Sequence, residues 1–172
     1  SKWVHPASTQ KMRPARGIPV LDANKAVRDE VKEVLDIVAR NDMVLASGHL
    51  HVSETWLVFE EAKRRGVQRM TLTHPEDIVD ASLNDVGGFS SMGVYVEHSL
   101  CMFVEGSKFK TRTAQDLTLL IAAAGIDHTV MCSDLGHTGT TSPVDGARRG
   151  LQMRLALGYA AHRRRTRVEP HQ

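Results

Sequence analysis

Met43-Val-Leu-Ala-Ser-Gly-His49 is a short apolar run that passes through serine and glycine into a histidine. Two further runs end the same way, Arg69-Met-Thr-Leu-Thr-His74 and Thr129-Val-Met-Cys-Ser-Asp134, and a fourth, residues 94–98, ends in Glu97-His98. Continuous apolar runs of this length suit strands covered on both faces. Helix-sized segments separate all four, so the chain reads as successive βα units and the fold class as α/β with a parallel sheet. The C-terminal strand ends of such a sheet share one edge, where catalytic groups collect.

The segments between the runs carry helix signals. Over residues 25–40, Val27, Val31, Val34, Leu35 and Val38 recur along one helical face. Ser53 is the expected cap of the next helix, with Glu54 in its first turn and Lys63, Arg64, Arg65 and Gly66 closing it. Residues 81–92 form a weaker helical pattern, interrupted by Gly87-Gly88 and stopped by Gly93. Thr113 with Asp116 makes a capping box for a helix that Gly125 ends. Ser142-Pro143 opens a last helix that runs to about Leu157. Residues 1–24, with Pro6, Pro14, Gly17 and Pro19, read as an N-terminal loop region after a short strand at 2–4, and residues 158–172 as a basic tail. The expectation is a single domain over 1–172.

Composition narrows the class. A chain of 172 residues with 41% hydrophobic and 24% charged content is that of one globular domain with one core. The net charge of +2 implies no polyanionic partner, and Arg163, Arg164, Arg165 and Arg167 read as a solvated tail, so no nucleic-acid partner is expected. No apolar stretch approaches the roughly 20 residues needed to span a bilayer, and no signal-peptide pattern opens the chain. A cytoplasmic protein without a membrane partner is the expectation. The two cysteines, Cys101 and Cys132, form no CxxC, so zinc-finger and disulfide-scaffold readings fail on count; Cys132 reads as a small buried thiol. There is no Gly-x-Ser-x-Gly elbow, Walker loop or dinucleotide fingerprint.

The chemistry therefore rests on the run ends. His49 and His74 each follow an apolar strand, so their imidazoles lie side by side at the edge of a parallel sheet, within reach of one ion. Asp134 enters a glycine-rich loop, where it either makes an Asx-turn or serves as a third ligand that takes a proton from an attacking water and returns it to the leaving group. Glu97 and His98 are adjacent, so alternation turns them to opposite faces and one of the two is a candidate substrate contact; Glu97, in phase with Tyr95, is preferred, with His98 as the alternative. His51, two residues past His49, and His137, beside Asp134, are candidate substrate contacts, and His5 is a further histidine that reaches the site if a strand precedes it. Two imidazoles and a carboxylate leave an open position, as a catalytic site requires. The metal is expected to be zinc, with manganese, iron and nickel open.

Taken in order, Val44-Leu-Ala-Ser-Gly-His49-Leu, Glu61-Ala-Lys-Arg-Arg-Gly-Val67, Thr71-Leu-Thr-His74-Pro75, Gly93-Val-Tyr-Val-Glu97-His98 and Ser133-Asp134-Leu-Gly136 resemble the amidohydrolase superfamily of metal-dependent hydrolases, in particular an uncharacterised amidohydrolase-like group. The resemblance covers roughly residues 18–157. It implies a (β/α)8 barrel whose metal centre activates water to hydrolyse a C–N or ester bond of a small molecule. It makes His49 the fifth-strand histidine, His74 the sixth-strand histidine and Asp134 the eighth-strand aspartate, with Glu97 on the seventh strand, which gives substrate contacts. The family's first-strand His-x-His has no counterpart before Trp3, although His49-Leu-His51 mimics it. A full barrel needs about 250 residues. The chain thus looks like the second half of a barrel, expected either to close as a homo-oligomer or to be a catalytically incomplete half-barrel subunit or fragment acting in assembly.

Overall fold

The computed structural model describes residues 18–76 and 78–156, without the side chains of 154–156. The expected strand at 2–4 and the basic tail lie outside the described residues.

Four βα units follow one another. Helix α1 (Asp29–Arg40) leads into strand β1 (Val44–Ala46), helix α2 (Val52–Arg64), strand β2 (Arg69–Thr73) and helix α3 (Leu83–Ser91). Strand β3 (Tyr95–Ser99), helix α4 (Ala114–Ala124), strand β4 (Thr129–Cys132) and helix α5 (Pro143–Ala156) complete the order. The strands pair in parallel in the order β1-β2-β3-β4. A sheet whose sequential strands are also spatial neighbours, each joined by a helix, is the α/β arrangement of a partial TIM-like barrel.

The helices start where capping chemistry allows. Ser82 caps α3 and Thr113 caps α4, each in a full capping box with Asp85 and Asp116. Hydrogen bonds from the Thr113 backbone and hydroxyl hold the Asp116 carboxyl below its ordinary range. Helix α2 departs from expectation. Its cap is His51, whose Nδ1 accepts the Ser53 backbone N–H at 3.2 Å, so the helix starts two residues before the Ser53 cap would place it. The apolar run that opens at Met43 also yields a shorter strand than its sequence suggests, ending at Ala46, with His49 in the turn that follows.

The sheet has two unlike faces. Met70, Leu72, Val94, Val96 and His98 are buried on the helix-covered side, where they meet Phe59, Val86, Phe89, Leu117 and Ile121. Alternation turns Val44, Ala46, Thr71, Thr73, Tyr95, Glu97, Val130 and Cys132 to the other face, where Val44, Tyr95 and Val130 are exposed. The run at 43–46 therefore reads as doubly buried but is covered on one side. Helix α5 lies close: a Cβ at Gly146 would collide with Leu135, and one at Gly150 with Leu100. Among the described residues no helix is long and apolar enough to cross a membrane.

Gly88, on the α3 face towards α2, decides how closely those two helices approach. A Cβ there would stand 2.8 Å from the Trp56 ring, which is stacked on Phe89 at 3.9 Å and donates its indole N–H to Asp85. Moving the Trp56 ring away would cost its stack on Phe89 and its hydrogen bond to Asp85. Alanine in place of a helical glycine normally stabilises by about 1 kcal/mol. At this site overpacking outweighs that gain, and Gly88→Ala is expected to destabilise by about 1–3 kcal/mol in urea unfolding followed by circular dichroism.

Candidate functional site

The parallel register decides which side chains meet. Thr73 pairs with Glu97, Glu97 with Val130 and Ser99 with Cys132, and the ladder runs on past the strand ends. The Ser47 N–H donates to the Thr71 carbonyl, the Thr73 N–H to Ser47 Oγ and the Cys101 N–H to the Ser133 carbonyl. His49, His74 and Asp134 all leave the sheet at this edge.

Their geometry is defined. The His49 and His74 rings stand 5.3 Å apart at 59°, and His74 Nε2 lies 3.8 Å from Asp134 Oδ2. That distance is too long for a hydrogen bond and slightly wider than the separation of about 3.3 Å between two donors on one tetrahedral zinc. His74 Nδ1 is buried without a hydrogen-bond partner. His74 and Asp134 both adopt left-handed backbone, φ 51° and φ 45°, and Gly48 beside His49 does the same at φ 56°. His and Asp tolerate that region better than most residues, but non-glycine residues there are uncommon and cluster at functional sites.

A second layer surrounds the three. The Cys101 thiol donates to Asp134 Oδ2 at 3.4 Å, and the Cys132 thiol donates to Glu97 Oε1 at 3.1 Å while lying 3.3 Å from Ser99 Oγ. Burial, reinforced by neighbouring carboxylates, pushes the Cys132 thiol up to about 12 and raises Cys101 well above its ordinary value as well. Both sulfurs are therefore protonated donors at neutral pH. On the helix-covered side, His98 Nδ1 meets Glu76 Oε1 at 2.8 Å with both side chains fully buried.

The remaining candidates scatter. His51 is occupied as the α2 cap, with its Nε2 3.7 Å from Asp80. His137 packs edge-on against Phe109 at 5.0 Å in an exposed loop. Glu97 shares the open face with Tyr95, whereas His98 turns away from it. His5 lies outside the described residues. Glu76 and Cys101 are absent from the sequence-level candidates because each gains its meaning from a partner on another element.

His49, His74 and Asp134 are of the residue types that hold a divalent ion and leave the sheet at one edge. Among the described residues, however, no three His, Cys, Asp or Glu side chains are drawn together closely enough to hold one.

Residues 2–97 match the family of unknown function (DUF6282), more than half of the 172-residue chain. The chain belongs to that family. No curated protein and no solved structure matches it. The family match takes in His49, His74, Glu76 and Glu97, while Asp134 lies beyond it.

The raised thiols have a consequence in alkali. A thiol whose folded pKa lies above its unfolded value contributes stability that is complete below the unfolded value and is lost as pH rises through the folded one. Stability is expected to fall between pH 9 and about 12, with Cys132→Ala flattening part of the decline. Alkylation of the native protein at pH 8.5 should run at least about tenfold slower than that of the urea-unfolded chain.

Proposed function

We propose that this chain carries the metal-binding edge of a cytoplasmic metal-dependent hydrolase of the amidohydrolase type, acting on the C–N or ester bond of a small molecule. The observation that carries the reading is the convergence of His49, His74 and Asp134 at the C-terminal edge of one parallel sheet, with two of them in left-handed backbone. These three would hold the ion, zinc first among divalent metals, with manganese, iron and nickel as alternatives.

An ion bound by such a set supplies Lewis acidity and lowers the pKa of water. The protein's own groups do the rest. Asp134 Oδ2 takes the Cys101 hydrogen bond, which orients the carboxylate and leaves Oδ1 to accept a proton from the attacking water and return it to the leaving group. Glu97, on the open face with its carboxylate hydrogen-bonded by Cys132, would hold a hydrogen-bond donor or cation of the substrate.

A second reading has its own support. Val44, Tyr95 and Val130 are exposed apolar side chains on the uncovered sheet face, and β1 and β4 are edge strands of the described sheet. That surface suits a half-barrel subunit that closes in a homo-oligomer and has no activity alone.

Elemental mass spectrometry on the tag-free protein, with light scattering for mass, separates the two. The hydrolase reading expects about one divalent metal per chain, lost in His49→Ala, His74→Ala and Asp134→Ala, with circular dichroism unchanged. A well-folded protein that binds no zinc, manganese, iron or nickel would overturn it and favour the assembly subunit.

A further inference from the structure

The pair formed by Glu76 and His98 takes no part in the edge just described, yet it is the most deeply buried polar contact in the vicinity. Both side chains are fully buried and meet at 2.8 Å, while His98 Nε2 and Glu76 Oε2 are buried with no hydrogen-bond partner. A helix-covered strand position such as 98 takes an apolar residue at lower cost. A buried acid–base pair with an unpartnered atom at each end is a poor way to fill a core, so it calls for another explanation.

Its place in the chain supplies one. His74 occupies a left-handed conformation between two fixed points. Before it, the Thr73 N–H is held by Ser47 Oγ at 2.9 Å. After it comes Pro75, whose φ is fixed by its ring, and then Glu76, which is anchored twice. Its carboxylate bonds His98, and its carbonyl accepts from Arg112 Nη2 at 3.2 Å. Since Thr73 pairs with Glu97, His98 is the β3 residue level with His74. The dyad thus ties the loop back onto the neighbouring strand two residues past the candidate ligand, on the side opposite the open face.

We propose that Glu76 and His98 are positioning residues: a buried latch that holds the His74-Pro75-Glu76 segment so that the His74 imidazole stays at the sheet edge facing Asp134. The latch acts through the backbone rather than by contact with the ion. It deepens the metal-site reading and rests on it for its purpose, but its effect on His74 is measurable without metal.

The test uses the full-length chain and three variants. His98→Asn keeps a side-chain N–H where Nδ1 stands and preserves the bond to Glu76. His98→Leu removes it, and Glu76→Met/His98→Leu removes both polar ends together, which spares the fold an unpaired buried carboxylate. Two readouts are taken on protein shown to be folded by circular dichroism: the ring nitrogen resonances of His74 in metal-free protein, assigned with His74→Gln, and cobalt(II) affinity from the visible absorption titration. His98→Asn is expected to match the parent in both. His98→Leu and the double variant are expected to shift the His74 resonances and to weaken cobalt binding about tenfold. If the folded double variant leaves the His74 resonances where they were, the latch is overturned. If the parent itself binds no cobalt, the metal reading falls, and the resonances alone decide whether the latch exists.

Discussion

The parallel register that sets Thr73 beside Glu97, and Glu97 beside Val130, is the constraint on which the rest depends. It fixes which atoms emerge together at the C-terminal edge, and a shift of one residue would turn every side chain of β3 to the opposite face. Glu97 would then enter the helix layer and His98 the open face. The register is held from the covered side, where Leu72, Val94 and Val96 lie fully buried beneath α3 and α4. Burying one such side chain contributes roughly 1.5–3 kcal/mol, so slippage costs more than the edge hydrogen bonds alone impose. The apolar layer thus determines the geometry of the polar one.

Two kinds of polar order sit on this framework. At the rim, carboxylates are steered by thiols: Cys101 on Asp134 and Cys132 on Glu97. Neutral donors orient a carboxylate without cancelling its charge, which suits an oxygen required to bind a cation or move a proton. Behind the rim, Glu76 and His98 form an acid–base pair away from water. Breaking one partner of a buried pair leaves an uncompensated polar group, whereas a rim hydrogen bond can be replaced by water. The rim therefore tolerates change more readily than the pair behind it.

Much of the fold was legible in the chain because its signals are local. Alternating apolar runs and helical periodicity give the βα order, and Thr113 with Asp116 or Gly125 at a helix end act within a few residues. His49, His74 and Asp134 stood out for the same reason, each closing a run. Alternation also paired Glu97 with Tyr95, and the two share the open face. What sequence could not supply was partnership at a distance. Glu76 sits in a loop without periodicity and takes its meaning from His98 on the next strand, and Cys101 takes its meaning from Asp134. His51 displaced Ser53 as a cap because an imidazole nitrogen can accept the same N–H that a hydroxyl would. The open side of β1 was hidden too, since the apolar run at 43–46 looks the same whether one face or two are covered.

Helix α5 differs from the other helices in how it is attached. Among its residues with described side chains, Gly146 and Gly150 are buried against Leu135 and Leu100 and Met153 is partly buried on the core, while Val144 and Leu151 are exposed. Glycine contributes almost no apolar area of its own, so the seam rests on a short row of contacts to Leu135 and Leu100 with Met153 beside them, where the other helices bury a longer apolar face. In amide hydrogen exchange, α5 would behave as its own low-energy opening unit, losing protection while the β2–β3 ladder still keeps its protons. Because the loop at 134–142 is tethered to α5, each such opening would also loosen the backbone that presents Asp134.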